Sequence, residues 1–290
     1  MSVLGPSDTL FEPAPLSWAR SDFEQRLGFR GGRFTRVNTW LSALLAAVVS
    51  VAFYATLLPI RKSYFGQMFL ERGPIPYVIT FFTAWAVVIL CVKWTKLHLQ
   101  QRALAIDIVP STPDFVLSPQ TVDDVQTRIL HAVEDPRQFV LFNRIAIALS
   151  NLRNLGRVAD VDEILQTQAG NDESVMETSY SIVQGFVWAI PVLGFIGTVQ
   201  GLSIAIGSFG SVLSQSSEMT EVKDALRGVT GGLSIAFETT LQGLVAALVV
   251  QLLLTVLKKN EEEFLDSCTE YCTRRIVGRL RLSPLDREGA

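Results

Sequence analysis

An all-α integral membrane protein with four transmembrane helices is the fold class this sequence predicts, and three observations carry it. Four apolar runs, 37–58, 75–92, 180–208 and 232–257, approach or exceed the roughly 20 residues a helix needs to cross a hydrocarbon core about 30 Å thick. Those runs are almost free of formal charge, whereas a core helix of a soluble protein carries polar residues on its outer face every turn. Of the 290 residues, 49 % are hydrophobic and only 18 % are charged, and the charges gather between the runs.

The arm 1–36 carries Arg26, Arg30, Arg33 and Arg36 ahead of the first span. Its apolar stretch starts too late for a cleavable signal peptide, so none is expected. Lys93, Lys96 and Arg102 follow the second span, and Lys258 and Lys259 follow the fourth. With four spans these clusters fall on one side, which places both termini in the cytoplasm. Arg61, Lys62 and Arg72, in the short outer loop 59–74, dissent from that count. A second outer loop is expected at 209–231.

The inner connection 93–179 is long enough for a domain of its own. Beyond Pro110, Pro113 and Pro119, a helical period places Val122, Val125, Ile129, Leu130 and Val133 on one face. A second helix over 139–155 aligns Phe142, Ile145, Leu149 and Leu152, and a third over 158–168 should stop near Gly170. After Leu257 an apolar stripe of Phe264, Leu265, Cys268, Tyr271, Cys272 and Ile276 extends the fourth span as a cytoplasmic helix over 258–282, packed on the inner domain. The tail 283–290 is expected to be disordered.

The first two spans, with Trp40 and Trp94 at interfacial positions, are bland and suited to facing lipid. The third and fourth differ. In the third, Gly194, Thr198, Gly201, Ala205 and Ser208 share a face, with Gly197 beside them. In the fourth, Gly232, Ala236, Thr240, Gly243 and Ala247 do the same. Small stripes suit close helix packing as well as a polar path, and spacing leaves both open. Gln184, Gln200, Ser203, Ser234, Thr239, Gln242 and Gln251 add polar groups that a bilayer tolerates only toward a bundle interior or water. Pro191 interrupts the third helix and frees a backbone carbonyl. These groups mark the third and fourth spans as pathway helices.

Glu238 is the one ionisable side chain inside a span, and it sits about 200° around the helix from Thr240. The sequence names no basic partner for it. It is protonated by desolvation, paired with a neighbouring subunit, or an interfacial carboxyl near the outer leaflet. No nucleophile, phosphate loop or metal cluster points to an enzyme. Cys268 and Cys272, one turn apart, lack a nearby histidine to make a metal site. A net charge of −3 argues against nucleic acid.

The stretch Pro191-Val-Leu-Gly-Phe-Ile-Gly-Thr-Val-Gln-Gly201 resembles the first signature of the MotA/TolQ/ExbB proton-channel family, and Ala236-Phe-Glu-Thr-Thr-Leu-Gln-Gly-Leu244 resembles the second. The resemblance covers about 180–280; the rest matches in layout alone. It implies a channel subunit of an ion-driven motor, five copies around two copies of a single-span partner like MotB, TolR or ExbD that carries the ion-binding aspartate. It also implies that Thr198 and Thr240 are pore threonines facing that aspartate, with Thr239 and Glu238 beside the path. Pro191, Gly194, Gly197, Gly201, Ala205, Ala236, Gly243 and Ala247 would line or pack the pore. Some members carry a glutamate five residues before the second threonine; here that residue is Ile235. No cofactor is implied beyond the transported proton or sodium ion. What relatives drive ranges over flagellar rotation, outer-membrane energisation, gliding and phage defence, and the sequence does not choose. A structural scaffold or a secondary transporter are the alternatives. A charged patch of Arg128, Arg137, Arg144 and Glu134 on the inner loop would serve torque generation, or is simply a solvated face.

Overall fold

The structure is a computed structural model and describes residues 16–26, 28–29, 31–109, 116–118, 121–152, 158–215 and 219–281. Its elements in chain order are α1 (Trp18–Ser21), α2 (Phe23–Arg26), α3 (Thr39–Leu57), α4 (Tyr64–Leu70), α5 (Ile75–Leu104), α6 (Val122–Ala132), α7 (Val140–Leu152), α8 (Val158–Thr178), α9 (Ser181–Gln215) and α10 (Met219–Arg275). Among the described residues only isolated bridges join extended backbone, so the fold is all-α. Four helical stretches are long and apolar enough to cross a membrane: Thr39–Ile60, Ile75–Leu104, Val158–Gly210 and Val222–Arg279. The tail 283–290 lies outside the described residues.

The chain divides into two compact units, one of Met1–Gly28, Lys96–Ser174 and Glu263–Ala290, the other of Phe29–Thr95 and Val175–Glu262. In the first, α6 and α7 bury Val122, Val125, Ile129, Phe142, Ile145 and Leu149, as their period demands. Leu130 departs from the expected face and is 59 % exposed. Phe264, Leu265, Cys268, Cys272 and Ile276 of α10 are buried. The arm is anchored by backbone bonds from Leu16 N to Ala132 O and from Glu134 N to Leu16 O, and Trp18 meets Phe139 edge to face at 5.3 Å. Lys96 bonds Glu24 and lies 3.6 Å from Asp22, all three buried.

Arg144 was a candidate for a solvated torque patch; it is instead 1 % exposed, with Nε 2.6 Å from Asp172 Oδ2 and Nη1 3.0 Å from Thr269 Oγ1. That pairing also bears on α8. The helix expected to stop near Gly170 runs on to Thr178. An interior glycine costs about 1 kcal/mol, and the Asp172 anchor with buried Val161 and Leu165 offsets it.

In the second unit, Asn38 caps α3 by accepting from Trp40 N and Leu41 N, which satisfies two orphan donors. Trp85 Nε1 donates to Ser42 Oγ and Tyr54 OH to Thr80 Oγ1, tying α3 to α5. The 59–74 connection holds α4 rather than open loop, and Gly66 lets it fold back on residues 60–61, where a Cβ would lie 2.6 Å from Arg61 Cα. Gly73, at φ 87°, turns the chain into α5. The expected loop 209–231 is largely helix: α9 reaches Gln215 and α10 begins at Met219. Its 219–231 stretch carries helix formers such as Glu221, Lys223, Ala225 and Leu226.

Candidate functional site

The small residues of α9 and α10 meet each other. A Cβ on Gly201 would lie 2.5 Å from Gly232 O and 2.6 Å from Ala236 N; one on Gly232 would lie 2.7 Å from Ala205 N. A Cβ on Gly194 would lie 3.2 Å from Thr240 Cα, and one on Gly243 would lie 3.0 Å from Ile190 O. Real Cβ atoms essentially never come as close as the contacts at Gly201 and Gly232, and those at Gly194 and Gly243 are tight, so the two backbones approach because these positions lack a Cβ. Gly197 receives Thr239, which is fully buried and donates to Ile235 O and Ala236 O. Ala205, Ala236 and Ala247 are buried in the same unit, and Pro191 lies half-buried inside α9. The stripes are therefore a packing seam, the reading that spacing had left open beside a path.

Thr198 and Thr240 lie on the half-exposed edge of that seam. Their hydroxyls hydrogen-bond each other. Thr198 Oγ1 is 3.3 Å from Gly194 O and 3.2 Å from Ala236 O; Thr240 Oγ1 is 3.3 Å from Gly194 O and 3.0 Å from Ala236 O. Two hydroxyl protons thus serve four oxygens. Either threonine can donate to the other while its partner donates to a carbonyl, so the direction of the chain reverses by rotating two hydroxyls. Such a pair can pass a proton.

Glu238 does not share that edge. Its carboxylate takes Arg72 in a bidentate pair, Nε to Oε2 at 2.7 Å and Nη2 to Oε1 at 3.1 Å, and accepts from Ser234 Oγ at 2.8 Å. The missing basic partner is thus one of the arginines that dissented from the topology count. Gln242 Nε2 donates to Met68 O at 2.9 Å on the same side of α10. The sequence signal was present in Ser234, Glu238 and Gln242 at spacings of four, but it did not name Arg72.

A second polar cluster had no sequence signal beyond loop charge. Lys93, 1 % exposed, donates to Ser179 Oγ at 2.8 Å and Thr35 Oγ1 at 3.1 Å. Its Nζ lies 3.4 Å from Glu261 Oε2 and 4.0 Å from the Tyr180 ring centroid, while Thr35 donates to Glu261. An ammonium this buried is held by its carboxylate, two hydroxyls and an aromatic face together.

Neither a search of curated proteins nor one of solved structures gives a match. Residues 141–270 match the model of the MotA/TolQ/ExbB proton channel family, a stretch that contains the whole α9–α10 seam and both threonines. With four helices able to cross a membrane and that seam between two of them, residues 141–270 are similar to the MotA/TolQ/ExbB proton channel family.

Proposed function

We propose that this chain is the channel subunit of an inner-membrane, ion-driven motor: five copies surround two copies of a single-span partner of the MotB, TolR or ExbD type, whose aspartate binds the ion. The observation that carries the reading is the Thr198–Thr240 hydroxyl pair with its two carbonyls, set at the open edge of a glycine seam in the family's matched region. The described part of that edge holds hydroxyls and carbonyls, while Glu238 is turned away and paired. The titrating acid therefore belongs to another chain. A proton or sodium ion reaches the partner's aspartate along the threonine edge, neutralises it and lets the partner helices turn within the ring. Exposed Phe195 and Phe237, at 65 % and 68 %, offer α9 and α10 surface for neighbouring subunits.

The test replaces Thr198 and Thr240 with valine, which keeps shape and removes the hydroxyl. Ion-driven work is lost in both while the assembly survives, with native mass spectrometry showing five subunits and two partners. Unaltered work in both variants sinks the assignment, and a stable monomer or dimer returns the seam to the scaffold reading that its close packing also fits.

A further inference from the structure

Glu238 stands outside the ion path as described, yet it is buried, ionically paired and inside the matched family region. Ser234, Glu238 and Gln242 follow one another at four-residue steps, so they fall within about 80° of one face of α10. All three engage polar groups there, and residues 68–72 receive two of those links: Gln242 Nε2 to Met68 O, and Glu238 to the Arg72 guanidinium. The third link, from Ser234 Oγ to Glu238 Oε1, fixes the carboxylate on its own helix.

Two such attachments, one turn apart, resist rotation of α10 about its axis. Thr240 is about 200° from Glu238, on the far side of the same cylinder. A side-chain atom about 5 Å from the axis moves about 2 Å for a 25° turn, enough to break a hydrogen bond. The Thr198–Thr240 contact therefore depends on how α10 is turned, and Glu238 and Gln242 are the buried polar groups of this helix, within one turn of Thr240, that act on its opposite side. A carrier carboxylate would have to give up a bidentate guanidinium to accept an ion, and it would do so on the wrong face.

We propose that Glu238 is a positioning residue: with Arg72 and the Gln242–Met68 bond it clamps the connection between the first two spans onto α10 and holds Thr240 in register with Thr198. The functional half of this inference rests on the threonine pair being the ion path; the clamp itself does not.

The test uses the full chain in membranes with paired cysteines. Thr198→Cys with Thr240→Cys reports the native register, and Thr198→Cys with Leu241→Cys, about 100° further round α10, reports a helix released to rotate, each read as disulfide-linked peptides by mass spectrometry. The first pair should exceed the second by about tenfold in the parent, the ratio that a preference of about 1.4 kcal/mol gives. Glu238→Ala and Arg72→Ala should each collapse that ratio toward unity, and the charge swap Arg72→Glu with Glu238→Arg should restore it. Where an alanine variant fails to accumulate, Glu238→Gln takes its place with the same expectation. An unchanged ratio in the single variants, or a swap that does not restore it, overturns the clamp. In the complex with its partner, the swap should also restore ion-driven work. A restored register with work still lost makes Glu238 a carrier and overturns the positioning role. Failure of the threonine-to-valine test, by contrast, leaves the register result standing and removes only the path.

Discussion

Gly201→Ala should destabilise the protein although alanine is the better helix former. The added Cβ would lie 2.5 Å from Gly232 O, 2.6 Å from Ala236 N and 3.0 Å from Ala236 Cα. Comfortable carbon contacts lie at about 3.5–4.0 Å, so α9 and α10 must part by about 1 Å at this point. Atoms of a neighbouring backbone cannot swing aside as a side chain can, and a gap of that size forfeits a quarter to a half of each dispersion contact along the seam. Overpacking of this kind costs about 1–3 kcal/mol. The gain in helix propensity is about 1 kcal/mol, which leaves a net loss of up to about 2 kcal/mol. At about 2–4 °C per kcal/mol, the thermal midpoint of the detergent-solubilised full chain, followed by intrinsic tryptophan fluorescence, falls by up to several degrees. Gly170→Ala is the internal control. It lies inside α8 with nothing within 4 Å of the new Cβ, so only the propensity gain remains and the midpoint rises. If Gly201→Ala unfolds at or above Gly170→Ala, the seam is not close-packed as described.

The Lys93–Glu261 cluster predicts an asymmetry between single and double replacements. Glu261→Gln or Lys93→Met leaves a buried partner charge and should cost about 3–5 kcal/mol, read as lost accumulation in membranes and a lowered midpoint; Lys93→Met with Glu261→Leu should recover most of it, and a double variant as weak as the singles refutes the pairing. In the arm, burial pushes the Asp22 carboxyl above its usual value, aided by Glu24 and opposed by Lys96. A raised folded-state value means that the arm's attachment is strongest below the ordinary carboxylate range and weakens as pH rises through the folded value. Asp22→Asn should therefore tighten the arm at neutral pH and flatten its pH dependence. Hydrogen exchange at the amides of residues 21 and 22, which bond Ser17 O and Trp18 O, checks this. An arm less protected in the variant at neutral pH contradicts it.

What was legible in the sequence and what was not divide along one physical line. A property set by local spacing could be read: apolar length gave four spans, and glycine, alanine and threonine at three- and four-residue steps marked the faces on which α9 and α10 meet. A property set by which distant charges meet could not. Glu238 and Arg72 are 166 residues apart, and Lys93 and Glu261 are 168 apart. In a one-dimensional count, Arg72 was a loop charge against the topology, Lys93 a charge in its favour and Arg144 a solvated side chain. The structure buries Lys93 and Arg144 with acids and pairs Arg72 with one, because a charge taken out of water must find its counterpart wherever the chain brings it. Gly170 failed differently: a glycine was read as a breaker, but α8, anchored by Asp172, runs through it.

The same division shows what α10 carried openly and what it hid. Its small stripe announced one partner, α9, while the polar stripe of Ser234, Glu238 and Gln242 on another face announced a second demand without naming its source. With both met, this helix is packed against glycine backbone on one side and held by residues 68–72 on the other. A helix so fixed holds Thr240 in place within its own subunit, opposite Thr198.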